Sequence, residues 1–210
     1  MSLVLGKIHY WLFNKIVWFE DLETELINLA TEEGLNVSEL KEKIDSKYGE
    51  RLPGAPLEDI IDQGNIHGWL QGKIYSAEGR LAAWTVQLLN LDNIDDKIKS
   101  IYINQGISAA KEVKESGKEC KTAVDIFNSM NDYILDGMPC DRVNEIVESE
   151  ASIVKWERRM CVHKDIWSEA GGDVQFFYSM RAEWIKAFIK EINDNFMYLE
   201  DDGFTIIEKR

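Results

Sequence analysis

Three cysteines cannot all pair within one chain. A disulfide framework is therefore not expected, and a reducing, cytoplasmic setting fits. Positive charge is scarce as well. Against 38 Asp and Glu stand 24 Lys and Arg, a formal net charge of −14. Nucleic-acid phosphates need clustered cations, so no nucleic-acid partner is expected. An anionic membrane surface is disfavoured for the same reason. Long apolar runs are missing. The aromatic stretch 8–19 is broken by His9, Asn14 and Lys15, so no membrane span is expected. It also lacks a small-residue cleavage site, which argues against a signal peptide. There are three prolines, two of them inside 51–56, and no low-complexity segment or internal repeat is visible. No C-x-x-C or H-E-x-x-H pattern proposes a metal, and no G-x-G-x-x-G or G-x-S-x-G pattern proposes a nucleotide or a hydrolase elbow. The sequence thus implies no cofactor.

What remains is ample for folding. A chain of 210 residues with 45% hydrophobic content can bury a real core, as one domain or two intimate ones. Residues 6–33 read as one long helix with the stripe Ile8, Leu12, Ile16, Phe19, Leu22, Leu26 and Leu29. Trp11, Phe13, Val17 and Trp18 add apolar surface on other faces. Such a helix is either central to the core or a subunit interface of a homodimer. A second helix spans 39–47, and a linker follows at 51–56. Residues 64–72 hold three glycines and read as a loop or broken helix. Helices are then expected over 78–91, 94–114 and 118–135, the last stopped by Gly137 and Pro139.

The pattern changes in the last third. Residues 142–148 and 153–163 read as a strand pair joined by a short polar turn. In the second strand, alternation places Val154, Trp156, Arg158, Met160 and Val162 on one face. Lys155, Glu157, Arg159, Cys161 and His163 fall on the other. Asp173 can cap a helix running to about Asn193, with Val174, Phe177, Arg181, Trp184, Phe188 and Ile192 on one face. Two short strands close the chain at 196–199 and 204–207. The Asp202-Gly203 pair between them suits a tight hairpin turn.

This order, together with Arg159-Met160-Cys161 at the end of a strand, resembles the 2-aminothiazoline-4-carboxylate hydrolase-like proteins. It is also similar to the related 4-vinyl-reductase-type ligand-binding domains. The resemblance covers roughly residues 137–210, and the closing strand carries no cysteine. It implies a pocket between sheet and helices that takes a small organic molecule.

Two groups of residues are candidates for chemistry. Cys161 and His163 would share a strand face. Thiol and imidazole there can be a nucleophile with its base, two metal ligands, a pocket lining, or buried structural groups. Arg158 and Arg181 each interrupt an apolar face. A guanidinium so placed needs an internal carboxylate or an escape to the edge; otherwise it can hold a ligand carboxylate in a bidentate fork. Trp156 and Trp184 would supply the aromatic walls.

The expected fold is α+β. A helical region, 1–136, packs on an antiparallel sheet with a covering helix, 137–210. The expected function is binding of a small molecule of unidentified structure, a carboxylate-bearing one among the options. A cysteine-dependent hydrolase and a structural or oligomeric interaction protein are the alternatives.

Overall fold

The computed structural model describes residues 5–210. Its architecture is α+β, with helices first and a four-stranded antiparallel sheet at the C-terminal end. The helices are α1 (Lys7–Glu32), α2 (Val37–Tyr48), α3 (Leu57–Ile60), α4 (Ile66–Leu89), α5 (Asp95–Glu115), α6 (Ala123–Asn131), α7 (Lys164–Ala170) and α8 (Val174–Ile192). The strands are β1 (Asn144–Ser149), β2 (Ile153–Arg158), β3 (Phe196–Asp201) and β4 (Phe204–Lys209). Among the described residues no helix is long and apolar enough to cross a membrane.

The chain divides into two compact units. The first comprises 1–95 with 163–174, and the second comprises 96–162 with 175–210. The helical region 1–136 therefore contributes to both.

In the first unit α1 packs on α4. The two helices run parallel: the His9 and His67 rings meet near their starts, and Arg80 joins Glu20 and Glu23 further along. The expected stripe is buried at Leu12, Ile16, Phe19, Leu22, Leu26 and Leu29, whereas Ile8 lies 49% exposed. Trp11, Phe13 and Trp18 are half-buried. Arg80 is sealed from solvent, and each of its guanidinium nitrogens finds an acceptor. Nε reaches both Glu23 oxygens at 3.1 Å, the terminal nitrogens reach Glu20 and Ser76, and the Gly49 carbonyl accepts at 3.1 Å. Two carboxylates and these hydrogen bonds offset the cost of burying the charge.

Within the segment 64–72, Gly64 and Asn65 form the turn before α4, and from Ile66 onward the segment is the first part of that continuous helix rather than a loop. Asn65 caps it by accepting from the Gly68 N–H at 3.1 Å, and the Asn65 side chain occupies the space a Cβ on Gly68 would take. Ile66, Leu70 and Ile74 bury one face at helical spacing. That burial outweighs the roughly 1 kcal/mol that each glycine costs relative to alanine.

The second unit holds the sheet, ordered β1-β2-β4-β3. Trp156 is level with Thr205, and Thr205 with Glu200. Alternation therefore puts Val154, Trp156, Arg158, Thr205, Ile207, Tyr198 and Glu200 on one face. The tight turn after β3 forms as expected, with Asp202 and Gly203 at φ of 46° and 82°. Two positive φ values in succession suit a type I′ hairpin. Helix α6 packs on β2 and β4, where the Phe127 ring meets Trp156 edge-on at 5.0 Å. Its start is fixed by a capping box: Thr122 accepts from the Asp125 N–H, and Asp125 accepts from the Thr122 N–H at 2.9 Å. Helix α8 stands beside the same sheet face and leaves a gap against it.

The strand expected over 153–163 ends at Arg158. The chain then leaves the sheet, and His163 occupies the position before α7, a helix the sequence pattern did not reveal.

Candidate functional site

The gap between α8 and the sheet is a cleft. Its inner part is a cavity of about 50 Å³ floored by Trp156, Phe127, Met130, Ile134 and Ile185. This is room for a small apolar group of a few heavy atoms. An open groove of about 440 Å³ adjoins it, bordered by Gln175 and Ser179 on one side and by Asp201, Asp202 and Phe204 on the other. Arg158, Tyr178, Ala182, Glu200 and Thr205 border both spaces and so form the mouth of the cavity.

Helical spacing explains the α8 wall. Tyr178, Arg181, Ala182 and Ile185 lie three or four residues apart and share one face. The small Ala182 leaves the room that a longer side chain would fill. On the sheet wall, alternation presents Trp156 and Arg158 of β2, Tyr198 and Glu200 of β3 and Thr205 of β4 to the cleft.

Each polar group is held in a definite way. Arg181 is paired with Asp136 and donates to the Leu135 carbonyl at 2.7 Å. Asp136 in turn accepts from the Asn144 amide at 2.8 Å. This is an internally satisfied pair, one of the two outcomes expected for a guanidinium on an apolar helix face. Arg158 differs. Its guanidinium lies 3.5 Å above the centre of the Tyr178 ring, and it is exposed. No carboxylate among the described residues forms an ion pair with it. Glu200 accepts a hydrogen bond from the Tyr198 hydroxyl at 2.5 Å and likewise has no ion-pair partner among the described residues.

The Tyr178 and Tyr198 phenols are both held well above the usual tyrosine range. Burial is the main cause, reinforced by the hydrogen bond to Cys161 for Tyr178 and to Glu200 for Tyr198. Both therefore remain protonated at neutral pH and can donate. Cys161 is exposed, and its sulfur lies 3.1 Å from the Tyr178 hydroxyl.

Of the residues singled out in the sequence, Trp156, Arg158 and Arg181 meet at this cleft, with Cys161 reaching Tyr178. Trp184 does not line it. That indole stacks on Phe188 at 5.3 Å and donates to Gln105 at 3.0 Å, so it serves packing between α5 and α8. His163 does not line it either. Its ring is buried in the first unit, with Nδ1 2.7 Å from a Glu78 carboxylate oxygen. The strand geometry that would have set Cys161 and His163 side by side is absent because β2 ends at Arg158. Each takes a different partner.

Tyr178, Tyr198, Asp136 and Glu200 were not anticipated. Tyr178 stands three residues before Arg181, a helical spacing that was available as a signal. Asp136 and Glu200 looked like solvated residues at a helix end and a turn, and only the fold brings them to the cleft. Among the described residues no group of three or more His, Cys, Asp or Glu side chains could hold a metal ion. The cleft combines the stacked Arg158 guanidinium and an aromatic floor with the carboxylates of Asp136, Glu200, Asp201 and Asp202. Compared with known protein families, with curated proteins and with solved structures, the chain matches none.

Proposed function

We propose that the cleft binds a small organic anion, with a carboxylate on Arg158 and the carbon skeleton against Trp156. One observation carries this reading: Arg158 is stacked on Tyr178 at 3.5 Å, at the mouth of a cavity with Trp156 and Phe127 in its lining, and no carboxylate forms an ion pair with it among the described residues. Stacking leaves the in-plane N–H donors of a guanidinium free, and pre-orients them at reduced entropic cost. The resemblance to the 2-aminothiazoline-4-carboxylate hydrolase-like and 4-vinyl-reductase-type proteins implies a pocket for a small organic molecule, with which this reading is consistent.

The test is calorimetric titration with benzoate and 4-methylpentanoate, using benzyl alcohol and 4-methylpentanol as neutral controls. The acids are expected to bind and the alcohols not. A hydrogen-bonded charge contributes about 1.5–3 kcal/mol, so Arg158→Ala should weaken acid binding by roughly 10- to 150-fold. Equal binding of acids and alcohols, or unchanged binding by the variant, would discard the reading.

A second reading is a cysteine-dependent hydrolase. Its support is the exposed Cys161 thiol, 3.1 Å from the protonated Tyr178 hydroxyl, which could donate to a thiolate. His163 is not available as the base in this reading, because its ring is committed to Glu78.

A further inference from the structure

The mouth of the cleft carries two opposite charges that are not spent on each other. Arg158 ends β2, and Glu200 lies on β3, with β4 between the two strands. Both side chains belong to the same sheet face, and both border the cavity and the groove. No ion pair joins them among the described residues. Each is instead held by an aromatic residue, Arg158 by the Tyr178 ring and Glu200 by the Tyr198 hydroxyl.

The sheet sets the distance between them. Neighbouring strands lie about 4.8 Å apart and residues rise about 3.4 Å along a strand. Two strands across and two residues along give roughly 12 Å between the backbones. Both side chains border the cavity and the groove that lie between the sheet and α8. Asp201 and Asp202 extend the negative side of the groove beyond Glu200.

From this arrangement we infer that the ligand is a zwitterion of the α-amino-acid type. Its carboxylate takes Arg158, its ammonium takes Glu200, and its side chain enters the cavity over Trp156. This rests on the proposed function and adds the second charge. A simple acid would satisfy Arg158 and leave Glu200 facing the ligand's apolar part. A simple amine would do the reverse. Only a molecule with both charges uses both walls. The small volume beyond the mouth favours a short aliphatic side chain over an aromatic one.

The experiment compares three isosteres by calorimetry on the full chain: leucine, 4-methylpentanoate (the same skeleton without the amine) and 3-methylbutylamine (the same skeleton without the acid). Leucine is expected to bind at least about tenfold more tightly than either, one charge-assisted hydrogen bond being the difference. Glu200→Gln should weaken leucine without weakening 4-methylpentanoate, whose carboxylate loses a like charge in the cleft. Arg158→Ala should weaken both, and Arg158→Gln repeats that measurement should the alanine variant fail to fold. If 4-methylpentanoate binds as tightly as leucine, or Glu200→Gln leaves leucine unaffected, the zwitterion inference is overturned while Arg158-dependent acid binding stands. If neither compound binds in an Arg158-dependent way, both readings fall.

Discussion

Glu78 and His163 face each other in a space closed to water, 2.7 Å apart. The second Glu78 oxygen has no hydrogen-bond partner among the described residues, so the carboxylate depends heavily on the imidazole. Removing the imidazole leaves a buried polar group unsatisfied, which typically costs about 1–3 kcal/mol and more for a charged group. His163→Ala is expected to cost that much in urea unfolding, and the added change Glu78→Leu should recover a good part of it. A loss below about 1 kcal/mol for His163→Ala, the value of an ordinary exposed pair, would show that the carboxylate is not stranded. Such residues are unevenly legible in sequence. Arg158 and Arg181 stood out because each breaks an apolar repeat, and both do line the cleft. His163 was misplaced because no glycine or proline between Arg158 and Lys164 marks the end of the strand. Alternation shows where a side chain would point while a strand lasts, but not where it stops.

Among the elements, glycines separate two kinds of helix contact. Gly72 lies inside α4 with nothing near the position a Cβ would take. Gly72→Ala should therefore stabilise by about 0.5–1 kcal/mol, from helix propensity alone. Gly106 lies inside α5, where an added Cβ would stand 2.4 Å from the Trp184 carbonyl oxygen of α8. That atom belongs to the backbone and cannot swing aside. Gly106→Ala should cost about 1–3 kcal/mol through overpacking. Thermal melts of the two variants should shift in opposite directions, and a shared direction would refute this account of the α5–α8 approach. Both glycines look alike in sequence, since each merely weakens a helical pattern. What distinguishes them is the neighbour, and the neighbour is a long-range fact. The hairpin turn at Asp202-Gly203 was legible because its requirement for positive φ is local. The continuity of α4 was not legible, because tertiary burial overrode its glycines.

On the scale of the whole molecule, the two units are interleaved in sequence. The chain leaves the first unit after residue 95, returns for 163–174, and leaves again. The returning segment brings His163 and Trp167, both fully buried. A fragment of residues 1–95 would keep α1, α2 and α4 but lack both side chains, leaving Glu78 unpaired and a tryptophan-sized void. Such a fragment is expected to show no cooperative thermal transition by circular dichroism, although it contains most of the first unit. A sharp melt near that of the full chain would show that the segment is dispensable.

The same interleaving sets a schedule during synthesis. Glu78 and His163 are 85 residues apart in the chain. At ribosomal rates of about 5–20 residues per second, roughly 4–17 seconds pass between the two. Throughout that interval Glu78 lacks its imidazole partner, so the nascent first unit leaves that carboxylate in contact with water and its helices do not close fully as they emerge. The part of the protein that is translated first is among the last to be completed.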